Sequence, residues 1–173
     1  MSPTTSAGPA AAETFVIARV FDAPRDLVWK TWTETEHLKR WWGPKGFTVA
    51  HCTMDLRPGG VFHYCLKAPD GSVMWGRWVF REIVAPERLV SLSAFSDEKG
   101  GLARPPWGGD WPPEILSAVR FADKGDGRTE VTVAWVPETG TEADRAAFVA
   151  GFDSMRQGWG GTFDQFAAYL ARR

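Results

Sequence analysis

From Thr14 to Phe21 the chain reads TFVIARVF, an alternation of strand-favouring residues that predicts a β-strand. Asp22-Ala23-Pro24 closes it and opens a helix with Pro24 near its first turn. Over PRDLVWKTWT, Leu27, Val28 and Trp32 fall on one side of that helix. A second short helix is predicted over TEHLKRWW, with Thr35 as N-cap, Leu38, Trp41 and Trp42 at i, i+3 and i+4, and Gly43-Pro44 as its stop. This spacing buries the tryptophans and sets His37 beside the apolar stripe. The helix reading therefore makes His37 structural rather than a general base.

At Phe47 the period changes to two. Turn signals at RPGG (57–60), PDGS (69–72), APER (85–88) and DKGDG (123–127) divide the middle of the chain into an antiparallel meander of about six strands. Between Asp97 and Glu114 runs a stretch with four glycine or proline pairs and two tryptophans, too long and too broken for a hairpin turn. It reads either as a mobile lid or as a stiffened loop whose Trp107 and Trp111 pack on the outside of the sheet. From Thr141, an N-cap, to about Leu170 the 3.6-residue period returns, with Phe148, Phe152, Met155, Trp159, Phe163, Phe166 and Leu170 at steps of three and four. Such a helix would be roughly 45 Å long. Glycines at 151, 158, 160 and 161 disfavour it by about 1 kcal/mol each against alanine, so a bend is expected near GWGG.

Composition adds a heavy load of rings, ten Trp and eleven Phe against two Tyr, of the kind that line cores and apolar pockets. Twenty basic and 21 acidic residues leave a net charge of -1 without a basic stripe, which argues against nucleic acid as a partner. The apolar runs are strand-sized and MSPTTSAGPAAAE has neither basic nor hydrophobic signal character, so no integral membrane segment is expected. The expectation is a cytoplasmic protein with a flexible tail over residues 1–13 and one domain over 14–173.

Three stretches carry candidate chemistry. If Pro58 and Gly59 are the two central turn residues of HCTMDLRPGGVFHYC, Cys52 faces Cys65 and Met54 faces His63. Two Cys, a Met and a His then share one face, with Phe62, Tyr64 and Leu66 on the other beside His51 and Asp55. Soft-metal or disulfide chemistry is conceivable there, but cross-strand ligands rarely splay correctly and a cytoplasmic pair stays reduced, so the thiols read as fillers. In MWGRWVFRE, Met74, Trp78 and Phe80 separate from Trp75, Arg77, Val79 and Arg81. The first set faces the C-terminal helix, as plain core or as the wall of a ligand pocket. Arg120 reads as outward-facing rather than as a polar anchor in that gap. No G-x-S-x-G, H-E-x-x-H or phosphate-binding glycine loop is present, and GWGG follows no strand.

The blocks FDAPRDLVWKTWTETEHLKRWWGP, MDLRPGG, WGRWVFREIVAPERLV and GWGGTFDQFAAYL resemble, in this order, the family related to the C-terminal domain of the activator of Hsp90 ATPase. That family lies within the START-like helix-grip superfamily. The resemblance implies an α+β fold in which a curved antiparallel sheet of about seven strands wraps a long C-terminal helix, with two short helices after the first strand. It implies a cavity between sheet and helix, with the second short helix near its entrance. Candidate ligand-binding residues are then Trp41, Phe62, Tyr64, Trp78 and Phe80 on one side, and Phe152, Met155, Trp159 and Phe163 on the helix. Trp107 and Trp111 join them as lid residues. The leading expectation is a non-catalytic protein binding a hydrophobic or aromatic small molecule, with no cofactor and no metal. The alternatives are an Hsp90-type chaperone partner and a polyketide cyclase- or aromatase-like enzyme.

Overall fold

The computed structural model describes residues 13–173, so the tail expected over residues 1–13 lies, Glu13 apart, outside the described residues. The alternating run near the start forms β1 (Phe15–Phe21), followed by α1 (Arg25–Thr33) and α2 (Thr35–Trp41). The meander is β2 (Thr48–Met54), β3 (Val61–Lys67), β4 (Val73–Val84), β5 (Arg88–Phe95), β6 (Ile115–Gly125) and β7 (Arg128–Pro137). Two helices close the chain, α3 (Glu142–Ala150) and α4 (Phe152–Ala171). All seven strands form one antiparallel sheet in the order β1-β7-β6-β5-β4-β3-β2. β1 and β2, consecutive in the chain, thus form its two opposite edges, and α1 and α2 carry the chain from one edge to the other. α4 lies on the face that carries the apolar alternation.

The short helices follow their periodicity. Val28 and Trp32 of α1 and Leu38 and Trp41 of α2 are buried, and Gly43 at φ 114° supplies the left-handed step that ends the second helix before Pro44. The cap differs from expectation. Thr35 is already helical, and the N-cap is Glu34, whose side chain makes no capping bond. Thr141, by contrast, caps α3 as predicted: its hydroxyl accepts from the Asp144 amide while Asp144 Oδ2 accepts from the Thr141 amide.

The expected bend in the C-terminal helix falls seven residues earlier than GWGG. Gly151 ends α3 and starts α4, its N–H shared among the carbonyls of Ala147, Phe148 and Val149, whereas Gly158, Gly160 and Gly161 remain helical. Tertiary packing of Met155, Trp159 and Phe163 overrides the poor propensity of the glycine cluster.

The hairpin register also departs from the sequence reading. Met54 pairs with Phe62, Thr53 with His63, Cys52 with Tyr64 and His51 with Cys65. Pro58-Gly59 is not a two-residue turn, because the Gly59 N–H bonds the Phe80 carbonyl at 2.7 Å and the Phe80 N–H returns to Gly60 O at 2.9 Å. The loop is thereby tied to β4 and lengthens to five residues between Asp55 and Val61, whose backbones are hydrogen-bonded to each other. A slip of one position exchanges the faces. Cys52 and Met54 join Phe62, Tyr64 and Leu66, while Cys65 and His63 lie on the opposite face with His51 and Trp75. The constellation of two thiols, a methionine and a histidine does not form.

Candidate functional site

The inner face of the sheet and the stripe of α4 bring most of the expected ring residues together. Phe62, Trp78 and Phe80 from β3 and β4 are at most 2% exposed, and Tyr64 is half-buried beside them. Tyr64 lies over Gly76 of the neighbouring strand, where any β-carbon would overlap its ring. Burial pushes the Tyr64 hydroxyl well above the ordinary phenol range, so it stays protonated. Cys52, on the same face, is likewise pushed up by burial, to about 11, which keeps it a neutral thiol.

Three tryptophans from three helical segments meet at the centre. The rings of Trp32 (α1) and Trp159 (α4) lie 8° from parallel with centroids 6.3 Å apart, and Trp42, just after α2, stands 6.2 Å from the first and 5.8 Å from the second. Trp42 in turn meets Trp78 at 5.1 Å and Tyr64 at 5.5 Å, both edge-on. Trp41 is buried against Phe166 and donates its indole N–H to the Thr31 carbonyl at 2.9 Å. On the other flank Trp135 of β7 stands 5.6 Å from Trp159 and donates to Ser117 Oγ at 3.0 Å. The floor between these walls is small and polar: Ser91, Ser93 and Ser117 of β5 and β6 are buried and paired with one another or with Trp78 and Phe80 across the strands. Rings and hydroxyls thus face one another between sheet and helix.

Residues outside this centre also find their places. Phe152 is half-buried between Phe15 at 5.7 Å and Phe148 at 5.4 Å, at the α3 end of the interior. Trp111 meets Phe148 at 5.7 Å, and its amide donates to Asp144 Oδ1 at 3.0 Å. Trp107 is 65% exposed, resting edge-on against Phe95 and Trp111. Arg77 Nη1 donates to Gly100 O at 2.9 Å, and Asp97 Oδ1 accepts from the amides of Lys99 and Gly101, so the 97–114 segment is pinned at both ends. Arg120 points outward, as expected.

His37 resolves as a clamp between helices. Its Nδ1 lies 2.6 Å from the Tyr169 hydroxyl near the end of α4, and its Nε2 lies 3.4 Å from Glu34 Oε2. Two solvent-open clefts carry no ring lining: one of about 420 Å³ between residues 33–36 and Met54 and Leu56, the other of about 750 Å³ along the outer side of α3. The sequence reading weighed Trp41 or Trp42 as closing one end of a cavity, but did not bring Trp32 and Trp135 to this interior centre. Trp135 had a usable signal, since it continues the alternation Val131, Val133 on the strand that faces α4.

A seven-stranded antiparallel sheet gripping a C-terminal helix, with two short helices after its first strand, is the START-like helix-grip architecture. Within that class the chain belongs to the Activator of Hsp90 ATPase homolog 1-like family, whose sequence profile matches residues 22–171. Solved structures agree. A protein of Nitrosomonas europaea is 26% identical over 95% of this chain and 97% of its own, with a TM-score of 0.72. One of Arthrobacter aurescens is 28% identical over 96% and 91%, also at 0.72. An AHSA1 protein of Silicibacter pomeroyi, at 16% identity over 91% and 97% and a TM-score of 0.64, shares the fold. A search of curated protein sequences returns no match. Among the described residues no helix is long and apolar enough to cross a membrane, and no group of three or more His, Cys, Asp or Glu is placed to hold a metal ion.

Proposed function

We propose that this protein is a non-catalytic binder of a hydrophobic or aromatic small molecule, held between the inner face of the sheet and α4. The observation that carries this reading is the interior itself: ring walls from Phe62, Trp78, Trp42 and Trp159 over a floor of buried serine hydroxyls. An oily core gains nothing from those hydroxyls, whereas a binding site uses a few polar groups to orient an apolar guest. The arrangement with acid–base character, Glu34–His37–Tyr169, ties α2 to α4 and includes none of the ring walls, which favours binding over turnover. Native mass spectrometry of the purified protein tests the reading. A co-purified apolar compound, lost on denaturation and raising the melting temperature when added back, is the expected result. A bare polypeptide mass, with no thermal shift from any of a panel of aromatic compounds, would refute it.

A second reading, a chaperone-interacting protein of the Hsp90 type, draws on Trp107 and Leu102, exposed by 65% and 49% on one loop. Under that reading Hsp90 is retained on the immobilised protein and lost with Trp107→Ala. Equal retention by both forms would remove it.

A further inference from the structure

We infer that the bound molecule is planar and carries a neutral oxygen acceptor, a ketone, quinone, ester or phenol, to which the indole N–H groups of Trp32 and Trp42 donate. The inference rests on the proposed binding function and adds the chemistry of the guest. Trp32 is fully buried and Trp42 is 6% exposed, yet neither Nε1 has a hydrogen-bond acceptor among the described residues. Buried donors are normally satisfied, as those of Trp41 and Trp135 are here. The edge-on neighbours of Trp32 and Trp42 offer ring faces, which are weaker acceptors than oxygen. Two unsatisfied donors on separate elements, each against Trp159, therefore mark a place where an acceptor atom belongs.

The guest's charge and shape follow from the surroundings. Among the described residues the buried polar side chains are serines and threonines, so an anion there would lack a compensating charge. A neutral oxygen needs none. The near-parallel planes of Trp32 and Trp159 suit a flat framework, but their centroids stand 6.3 Å apart, short of the roughly 7 Å that a ring sandwiched between two others requires at van der Waals contact. Trp159 has to yield, and the helix turn that carries it is rich in glycine. A β-carbon at Gly158 or Gly160 would touch nothing within 4 Å, so no packing contact requires glycine at either position, while both lower the local stability of the helix.

The test uses 9-fluorenone and fluorene, two tricycles of one shape that differ in the carbonyl. Titration calorimetry of the full chain should show fluorenone binding roughly tenfold tighter than fluorene or better. Trp32→Phe and Trp42→Phe should each reduce that ratio towards one while fluorene affinity holds. Should either variant fold poorly, the wild-type indole N–H resonances decide: fluorenone should move those of Trp32 and Trp42 downfield in the proton dimension, and fluorene should not. Equal affinity for the two compounds, or a preference that survives in both variants with those resonances unmoved, overturns the inference and leaves hydrophobic binding standing. If neither compound binds, and no apolar compound co-purifies, the binding reading itself falls.

Discussion

Two tryptophan pairs of this chain meet opposite fates. Trp41 ends a short helix and Trp42 caps it; they are 1% and 6% exposed, wedged among rings from four other elements. Trp107 and Trp111 sit four residues apart in a proline- and glycine-rich loop, one largely in solvent and the other half-buried on α3. Their side chains are identical, so the difference lies in the backbone. A helix fixes the direction of every side chain it carries, and a ring on its apolar stripe is committed to the core. A loop commits nothing, and its rings go where local contacts place them.

The largest test of this contrast is Trp41→Ala. It removes a buried ring and orphans the Thr31 carbonyl that the indole holds, and it should destabilise the fold by about 3 to 5 kcal/mol in denaturant titrations. Trp111→Ala should lower stability by about 1 to 2 kcal/mol, since part of its surface is already wet, and Trp107→Ala should change it by no more than about 0.5 kcal/mol. Equal losses from Trp41→Ala and Trp107→Ala would break the comparison, because the loop would then be as much a part of the core as the helix.

The same contrast explains what the sequence could and could not reveal. Element order, the buried stripe Leu38-Trp41-Trp42 and the inward set Met74-Trp78-Phe80 follow from local periods of 3.6 and 2, which a chain displays whatever its partners. The hairpin register did not follow, because the two hydrogen bonds that tie Gly59 and Gly60 to Phe80 join segments about twenty residues apart. A local turn motif carries no record of them. The central Trp32–Trp42–Trp159 group was also hidden. Each ring is readable as apolar, but their meeting depends on how α1, the end of α2 and α4 cross. The expected bend at GWGG failed for a related reason, since propensity leaves out the buried rings that keep α4 helical through residues 158–161.

A smaller effect separates the glycines around Trp159. Gly158→Ala and Gly160→Ala should each stabilise the protein by about 0.5 to 1 kcal/mol, as their added methyl groups meet open space and favour the helix. Gly161→Ala should fail to stabilise, because its β-carbon would lie 3.1 Å from the Lys45 amide nitrogen in the turn that follows Trp42. Thermal melts of the three variants would show two upward shifts and one that is absent or downward. A gain at Gly161 would mean that the turn behind the buried pair yields as easily as a loop does.

The smallest effect belongs to the contact that ties the loop pair to α3. Asp144 accepts from the Thr141 amide at 2.9 Å and from the Trp111 amide at 3.0 Å, and these bonds, the Thr141 backbone first, hold its carboxyl below the usual aspartate range. A carboxylate whose folded pKa is depressed contributes stability above its unfolded value, near 3.8, and loses that contribution as the pH falls through the lower folded value. The melting-temperature gap between wild type and Asp144→Ala should therefore be steady from pH 7 to about 5 and close as the pH drops below about 4. Indole fluorescence should follow Trp111 alone, with its environment growing wetter over the same range while the Trp32–Trp42–Trp159 group stays dry. A gap that persists unchanged at about pH 2 would mean that Asp144 acts through its uncharged side chain, and that the loop is held by the ring contact of Trp111 with Phe148 rather than by the charge beneath it.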